Sequence, residues 1–176
     1  HALSQSIEIR EPGIAGHHRR VSRLANTIAR AMNLGEDIME SIRMAGLVHD
    51  IGDMSIPSEI LSKPGRLSEL EYRFIKLHPR SGYDILKETG LPYPVAEIVL
   101  QHHERMNGSG YPQNLKGKDI LLEARIIGVA EAVEAMSSSR PYRPALGIDA
   151  ALDEILKKKG TLYDAQVVET CLSLFK

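Results

Sequence analysis

Apolar residues recur three and four positions apart along most of this chain, which is the spacing of one face of an α-helix. The first such run ends at Asn33-Leu34-Gly35, where a glycine stop is expected. Its apolar members are Val21, Leu24, Ala25, Ile28, Ala29 and Met32. Aromatic residues make up only 5% of the 176 residues, whereas Ala, Leu, Ile, Met and Glu are plentiful, which favours helices over strands. The sequence therefore predicts a single all-α domain.

Six further helices are predicted from the same spacing and from helix-start signals. The second has its apolar face within residues 38–48 and reaches His49-Asp50 on its last turn. Ser68 and Glu71 form a capping box that opens the third helix, which His78-Pro79 is expected to close. The remaining helices are predicted near residues 95–102, 123–137, 149–159 and 164–174.

The charge and cysteine content argue against several classes of protein. The formal net charge is -1, so no global field draws the chain to a DNA or RNA polymer or to an anionic membrane. No apolar run approaches the roughly 20 residues of a membrane span. The only cysteine, Cys171, lies on an apolar helix face and is expected to be a small buried hydrophobe. One cysteine cannot form an intrachain disulfide, and a cytoplasmic location is the simplest expectation.

Two adjacent histidines end the predicted helix near residues 95–102. His102 continues the apolar face that Val95 and Val99 begin, and His103 lies about a quarter turn round. A buried imidazole needs partners for its donor and its acceptor, so a pair of them at one helix end requires a reason. The spacing predicts that both rings point toward one interior site.

Other histidines and carboxylates occupy similar positions at helix ends and loop junctions. They are His17, His49, Asp50, His78 and, on the long helix of residues 123–137, Glu131. Imidazoles mixed with carboxylates suit Fe, Mn, Zn or Ni, whereas ligand sets made only of oxygen suit Mg or Ca. The absence of cysteine ligands argues against a structural zinc site. Because a chain of 176 residues can bury a continuous core without a stapling metal, a metal here is expected to serve catalysis ahead of structural stability.

Several ordered motifs resemble one known family. His49-Asp50, within residues 47–52, resembles the signature of the HD phosphohydrolase superfamily. The run from His102 to Arg105, followed by Gly-Ser-Gly-Tyr-Pro at residues 108–112, resembles the hallmark of the HD-GYP subfamily. The resemblance continues through residues 63–65, 78–79, 140–143 and 160–164. Residues 16–176 are accordingly identified as an HD-GYP domain, and residues 1–15 as an N-terminal segment that is a linker or a tag remnant.

The resemblance implies a helical bundle of the HD type whose metal centre hydrolyses cyclic di-GMP to linear pGpG and often onward to GMP. Two divalent ions are expected, Fe or Mn in the first place, with Zn or Ni as alternatives. The metal ligands that the resemblance implies are His17, His49, Asp50, His78, His102, His103 and Glu131. Asp50 is expected to bridge the ions and, with His49, to form the catalytic core. His18 is expected to be an exposed, solvated neighbour.

Substrate recognition is expected to fall to a second group of residues, which are Gly110, Tyr111, Pro112, Glu134, Arg140 and Arg143. Glycines permit close approach of the backbone to a phosphate or a base. Tyr111-Pro112 could present a flat, stiff surface to a base, and the arginine forks suit phosphates. The resemblance also implies a regulatory domain or a signalling protein as partner.

Six positions depart from the family pattern, among them Met106 and Asn107, which stand where a tryptophan and an aspartate are usual. Asp53 stands where a lysine is usual, and Glu131 and Glu134 stand where aspartates are usual. Gly13 replaces a glutamate that ligates a third ion in some members, so two ions are favoured over three. We therefore expect hydrolysis of cyclic di-GMP or a close cyclic dinucleotide and keep two alternatives. One is a catalytically weak or inactive signalling module that binds metal or nucleotide, and the other is a metal phosphohydrolase of another phosphoester.

Overall fold

The chain is described by a computed structural model, which covers residues 16–139 and 144–176. Within these residues every regular element is helical, and the only β pairings are two isolated bridges, Asn107 with Lys116 and Lys159 with Tyr163. The predicted all-α fold is confirmed. None of the helices in the described ranges combines the length and hydropathy that a bilayer span needs.

The described residues contain nine α-helices and two 3-10 helices. The α-helices are α1 (His17–Ala31), α2 (Glu36–Val48), α3 (Ser58–Leu61), α4 (Glu69–Ile75), α5 (His78–Leu86), α6 (Val95–Gln101), α7 (Leu122–Ser137), α8 (Ile148–Lys157) and α9 (Ala165–Ser173). The 3-10 helices are Ile51–Ser55 and Gly117–Asp119.

The core lies where α1, α2, α6 and α7 meet. Helix α1 packs against α2 and α7, and α2 also contacts α6 and α7. The apolar faces predicted for these helices are buried, and Val21, Ile28, Ile42, Ile98 and Ile127 have no exposed surface. Burial of an isoleucine or valine side chain contributes roughly 1.5–3 kcal/mol, so these faces position the helices that carry the histidines.

Two helix boundaries differ from the sequence expectation. His78-Pro79 does not close a helix but begins α5, where proline is well tolerated because the first helical N–H groups have no intrahelical partner. Helix α4 ends earlier, at Ile75, although its predicted capping box is present. After α1, Asn33 takes the left-handed conformation with φ 56, whereas Gly35 is extended and caps α2.

Gly52 brings α5 against the segment that follows Asp50. A Cβ atom at Gly52 would lie 1.9 Å from the carbonyl oxygen of His78 and 2.7 Å from the amide nitrogen of Gly82. No side chain fits at these distances, so only glycine allows the 3-10 helix of residues 51–55 to touch the start of α5. This contact places His78 beside Asp50.

Candidate metal centre

The six histidines in the described part of the chain lie around Asp50. Three of them are near one of its carboxylate oxygens and two are near the other. Its Oδ2 atom is 3.1 Å from His49 Nε2, 3.4 Å from His18 Nε2 and 3.9 Å from His17 Nε2. Its Oδ1 atom is 3.6 Å from His78 Nε2 and 3.7 Å from His102 Nε2. Asp50 therefore separates an Oδ2 side from an Oδ1 side.

His103 and Glu131 complete the Oδ1 side. The Nε2 atom of His103 is 3.9 Å from Glu131 Oε1. The ring of His103 lies 4.2 Å from that of His102 and 4.9 Å from that of His78, measured between centroids. The structure thus brings together all seven residues that the sequence predicted as metal ligands.

Backbone carbonyls orient three of these imidazoles in the same way. The Nδ1 atoms of His49, His78 and His102 donate to the carbonyl oxygens three residues earlier, at 3.0, 2.7 and 2.6 Å respectively. Because a carbonyl oxygen can only accept, Nδ1 carries a proton in each ring, and Nε2 is the atom that faces Asp50 and offers a lone pair when it is unprotonated. Helix ends supply these carbonyls, which explains why the histidines lie at the ends of α2 and α6. Such support is typical of metal-binding histidines.

Glu134 orients His17. One oxygen of the Glu134 carboxylate contacts His17 Nδ1, and the other accepts from Arg20 Nε at 2.7 Å and from Ser138 Oγ at 2.8 Å. Burial alone would raise the pKa of Glu134, but His17 and the other donors outweigh it and lower the pKa to about 2. The ionised carboxylate therefore holds the His17 ring from α7. The predicted role of Glu134 in substrate binding stays a prediction.

Unpartnered polar atoms in the centre provide a test of whether metal ions fit. Within the described residues, His49 Nε2, Glu131 Oε2 and both ring nitrogens of His18 are buried without a hydrogen-bond partner. Each such atom costs about 1–3 kcal/mol, which a bound cation would offset. Two groups, His17 with His49 and Asp50, and Asp50 with His78, His102 and His103, have ligand atoms that lie within 4.8 Å of one another. Imidazole and carboxylate donors suit transition-metal ions, so the residues fit such ions.

The electrostatics of the centre largely favour the protonation states that bind cations. Burial lowers the pKa of His78 to about 4 and the pKa of His103 well below its usual value, so both rings are neutral at pH 7. Burial alone would raise the pKa of Asp50 and of Glu131, but neighbouring imidazoles outweigh it and keep both carboxylates ionised. Burial would lower the pKa of His49, yet Asp50 raises it to about 9. A cation binding at His49 therefore displaces a proton.

His18 contradicts the sequence expectation of an exposed residue. Its side chain has no exposed surface, and burial lowers its pKa. The signal was present in the spacing, because His18 lies three residues before Val21 and seven before Ala25, which puts it on the buried face of α1. Sequence reasoning assigned that face to apolar residues and missed the histidine at its start.

The loop after α6 is built around Glu104 and packs on the centre. The buried Glu104 carboxylate accepts from the backbone amides of Gln113 at 2.6 Å and Leu115 at 2.9 Å. Tyr111 stacks on His103, with ring centroids 4.8 Å apart. A Cβ atom at Gly110 would lie 2.4 Å from the carbonyl oxygen of His103, so this glycine serves a close approach to the chain's own backbone. Sequence reasoning did not identify the role of Glu104.

Two adjoining cavities open beside the centre. The first, of about 360 Å³, has Asp50, His103 and Glu131 in its wall. Its lining also includes Asp53, Lys63, Tyr72 and Tyr111. The second, of about 870 Å³, shares Tyr72, His103 and Tyr111 with the first and adds Arg73, Lys76, Arg105 and Pro112.

The predicted phosphate ligands Arg140 and Arg143, like Gly13 and the segment 1–15, lie outside the described residues.

Comparison with known proteins identifies relatives along nearly the whole chain. A family model described as HD domain matches residues 1–167. The chain is 41% identical over 172 residues to the cyclic di-GMP phosphodiesterase response regulator RpfG of Xanthomonas campestris pv. campestris, covering 97% of this chain and 46% of the relative. It is 39% identical to a cyclic di-GMP phosphodiesterase of Thermotoga maritima, covering 99% and 48%. It is 36% identical to the 3'3'-cGAMP-specific phosphodiesterase 3 of Vibrio cholerae, covering 94% and 36%.

Solved structures share the fold. The cyclic GMP-AMP specific phosphodiesterase V-cGAP3 of V. cholerae superposes with a TM-score of 0.77 at 21% identity, covering 98% of this chain and 47% of that one. Bd1817, an HDG"Y"P protein of Bdellovibrio bacteriovorus, superposes with a TM-score of 0.74 at 19% identity, covering 92% and 52%. This chain thus spans about half the length, or less, of the curated relatives that it matches.

Proposed function

Because the chain belongs to the HD-domain family, in its HD-GYP branch, we propose that it is a metal-dependent phosphodiesterase of cyclic di-GMP or a close cyclic dinucleotide. The products would be linear pGpG and, on further hydrolysis, GMP. The observation that carries the proposal is the position of Asp50, whose two oxygens face two separate groups of histidines. The relatives named as cyclic di-GMP and cGAMP phosphodiesterases support the same class of substrate.

Two divalent ions, Fe or Mn in the first place and Zn or Ni as alternatives, would occupy the two sides of Asp50. His17 and His49 would bind on the Oδ2 side, and His78, His102 and His103 on the Oδ1 side. Glu131 would add its unpartnered oxygen from α7. When bound, a pair of metal ions activates a water molecule and offsets the negative charge that builds on the phosphate oxygens.

The chain's own residues would set the geometry of the reaction. Asp50 would fix the separation of the two sides, because one rigid carboxylate contributes an oxygen to each. The Nδ1 atom of His49 donates to the Gly46 carbonyl oxygen. This hydrogen bond fixes the ring and keeps Nε2 directed toward the centre. We assign Asp50 and His49 the catalytic roles on this basis.

The substrate would enter through the cavity beside the centre. A phosphate of a cyclic dinucleotide would lie against the wall formed by Asp50, His103 and Glu131, and a base would lie near Tyr111-Pro112. The second, larger cavity carries Arg73, Lys76 and Arg105, whose positive charges suit the remaining phosphate. Gly110, Glu134, Arg140 and Arg143 stay predicted contributors to substrate binding.

The proposal is tested by loading anaerobically purified protein with Fe²⁺ or Mn²⁺ and incubating it with cyclic di-GMP and, separately, with 3'3'-cGAMP. Chromatography would resolve pGpG, GMP and the corresponding linear products. We expect product from the loaded protein and none from Asp50→Asn. The matched control is Asp84→Asn, which removes an exposed carboxylate from α5 and should leave the rate unchanged. Full metal loading without product would overturn the enzyme proposal.

Asp53 favours a second candidate, a signalling module that binds metal and nucleotide with little or no turnover. Its carboxylate lines the first cavity, where the sequence resemblance expects a lysine, and it repels an incoming phosphate. Calorimetry on the same metal-loaded protein separates the two candidates. Binding of cyclic di-GMP without product would identify the module, whereas absence of both binding and product would point to another phosphoester.

A further inference from the structure

We propose that His18 is a further metal ligand on the Oδ2 side of Asp50, together with His17 and His49. The sequence resemblance assigns His18 no role. The inference rests on the proposed metal centre, which it deepens by naming a ligand. It requires no particular substrate.

The imidazole of His18 is buried in the core without a partner that meets hydrogen-bond geometry. The side chain has no exposed surface, and neither ring nitrogen has a hydrogen-bond partner among the described residues. A neutral imidazole has one donor and one acceptor, and burial of both without partners costs free energy. An apolar residue would fill the same place on α1 without that cost. A bound metal ion, which the protein alone does not supply, would satisfy the ring and explain why a histidine occupies this position.

The distance from His18 to Asp50 matches the spacing of two ligands on one metal ion. Two donors bound to one ion at about 2.1 Å and a tetrahedral angle lie about 3.4 Å apart. His18 Nε2 lies 3.4 Å from Asp50 Oδ2, and His49 Nε2 lies 3.1 Å from the same oxygen. The His18 ring centroid is 5.1 Å from that of His49 and 5.3 Å from that of His17. His18 Nε2 is thus spaced from Asp50 Oδ2 as a second donor to the same ion would be, although His18 does not belong to the group of His17, His49 and Asp50 whose ligand atoms all lie within 4.8 Å of one another.

A role in holding Asp50 by a hydrogen bond fits the geometry less well. His18 Nε2 and Asp50 Oδ2 are 3.4 Å apart, at the long end of hydrogen-bond distances, and their contact lacks the geometry of a hydrogen bond. Its Nδ1 atom is also unpartnered, unlike the Nδ1 atoms of His49, His78 and His102, which donate to backbone carbonyls. A positioning residue would itself be anchored. The free lone pair of His18 instead suits a cation beside Oδ2.

The test compares His18→Leu with Ser22→Ala. Leucine matches the buried, apolar surroundings but cannot bind a metal ion, and His18→Val serves the same purpose if leucine does not fit. Ser22 lies one turn later on the same face of α1, where its hydroxyl donates to the Arg43 carbonyl at 2.9 Å. Ser22→Ala therefore perturbs the same helix without removing a candidate ligand.

Metal affinity is measured by competition with a chromophoric chelator for Mn²⁺ and Co²⁺, and the visible spectrum of the Co²⁺ form reports the ligand set. We expect His18→Leu to weaken the binding of one ion by at least about tenfold and to change the Co²⁺ spectrum. Ser22→Ala should change neither. Unchanged affinity and an unchanged spectrum in His18→Leu and His18→Val would overturn the inference.

Thermal stability gives an independent readout. Metal-free His18→Leu should melt at or above the wild-type temperature, because an unpartnered imidazole has left the core, and its rise in Tm on adding Mn²⁺ should be smaller. A lower metal-free Tm with an unchanged rise would show a packing role and contradict the inference. If the wild-type protein hydrolyses cyclic di-GMP but His18→Leu keeps the wild-type metal affinity, the inference about His18 is refuted and the proposed function stands. If His18→Leu loses metal affinity but the metal-loaded wild-type protein has no activity, the proposed function is refuted and the inference about His18 stands.

Discussion

The phenol ring of Tyr111 stacks on the imidazole of His103, with centroids 4.8 Å apart and planes inclined by 21°. The loop of residues 108–112 and the metal centre are therefore in direct contact. The buried carboxylate of Glu104 accepts from the backbone amides of Gln113 and Leu115 and so holds the segment that follows this loop. A tyrosine that the sequence suggested for base recognition also restrains a candidate metal ligand.

Replacement of Tyr111 should separate these roles of the ring from any role of its hydroxyl. We expect Tyr111→Ala to lower kcat/KM for cyclic di-GMP by about tenfold, because aromatic stacking contributes about 0.5–1.5 kcal/mol. Tyr111→Phe retains the ring and should stay within about threefold of wild type. Steady-state kinetics on the metal-loaded proteins provide the measurement. Equal losses in both variants would show that the hydroxyl, and not the ring, matters.

Gly52→Ala should damage the fold next to the centre. The new Cβ atom would lie 1.9 Å from the His78 carbonyl oxygen, and a backbone shift of α5 costs about 3 kcal/mol of unfolding free energy. Urea unfolding of the metal-free protein measures this loss. Gly35→Ser is the control, because no atom lies within 4 Å of its Cβ position and serine is a favoured N-cap. Similar stability of the two variants would contradict the close contact.

Asp53→Lys should improve substrate binding if the acidic side chain in the cavity repels phosphate. We expect the KM for cyclic di-GMP to fall about fivefold, which corresponds to an exposed ion pair of about 1 kcal/mol. Asp53→Asn removes the repulsion without adding an attraction, so its KM should lie between those of Asp53→Lys and wild type. An unchanged KM in both variants would count against an electrostatic effect of Asp53.

Cys171 should be inert in the folded protein. The thiol has no exposed surface, and burial raises its pKa to about 11, so little thiolate is present at pH 8. A colourimetric thiol reagent should react slowly with native protein and rapidly, with one thiol per chain, after denaturation in guanidinium. Rapid labelling of the native protein would show that the helix α9 opens or that the thiol is accessible.

Local patterns in the sequence predicted seven of the nine α-helices in the described residues and missed α3 and α5. The spacing of Val95, Val99 and His102 predicted a buried histidine at a helix end, and α6 ends there. The backbone carbonyl three residues earlier is free to accept at such an end, which is why His49 and His102 lie there.

Contacts between distant parts of the chain were not predictable in this way. Glu134 contacts His17 across 117 residues of sequence, and only the packing of α7 against α1 brings them together. The sequence also predicted that His78-Pro79 ends a helix, whereas it begins α5. Proline is common both just after one helix and in the first turn of the next, so its position alone does not distinguish the two. His18 was misassigned because it was judged by its place beside His17 in the motif and not by its spacing from Val21 and Ala25.

The bridging position proposed for Asp50 can be seen by anomalous diffraction from crystals of the Mn²⁺- or Fe²⁺-loaded protein at the metal absorption edge. We expect two anomalous peaks, one within bonding distance of Asp50 Oδ2 on the side of His17 and His49, and one within bonding distance of Asp50 Oδ1 on the side of His78 and His102. A single peak, or two peaks that do not share Asp50, would contradict it.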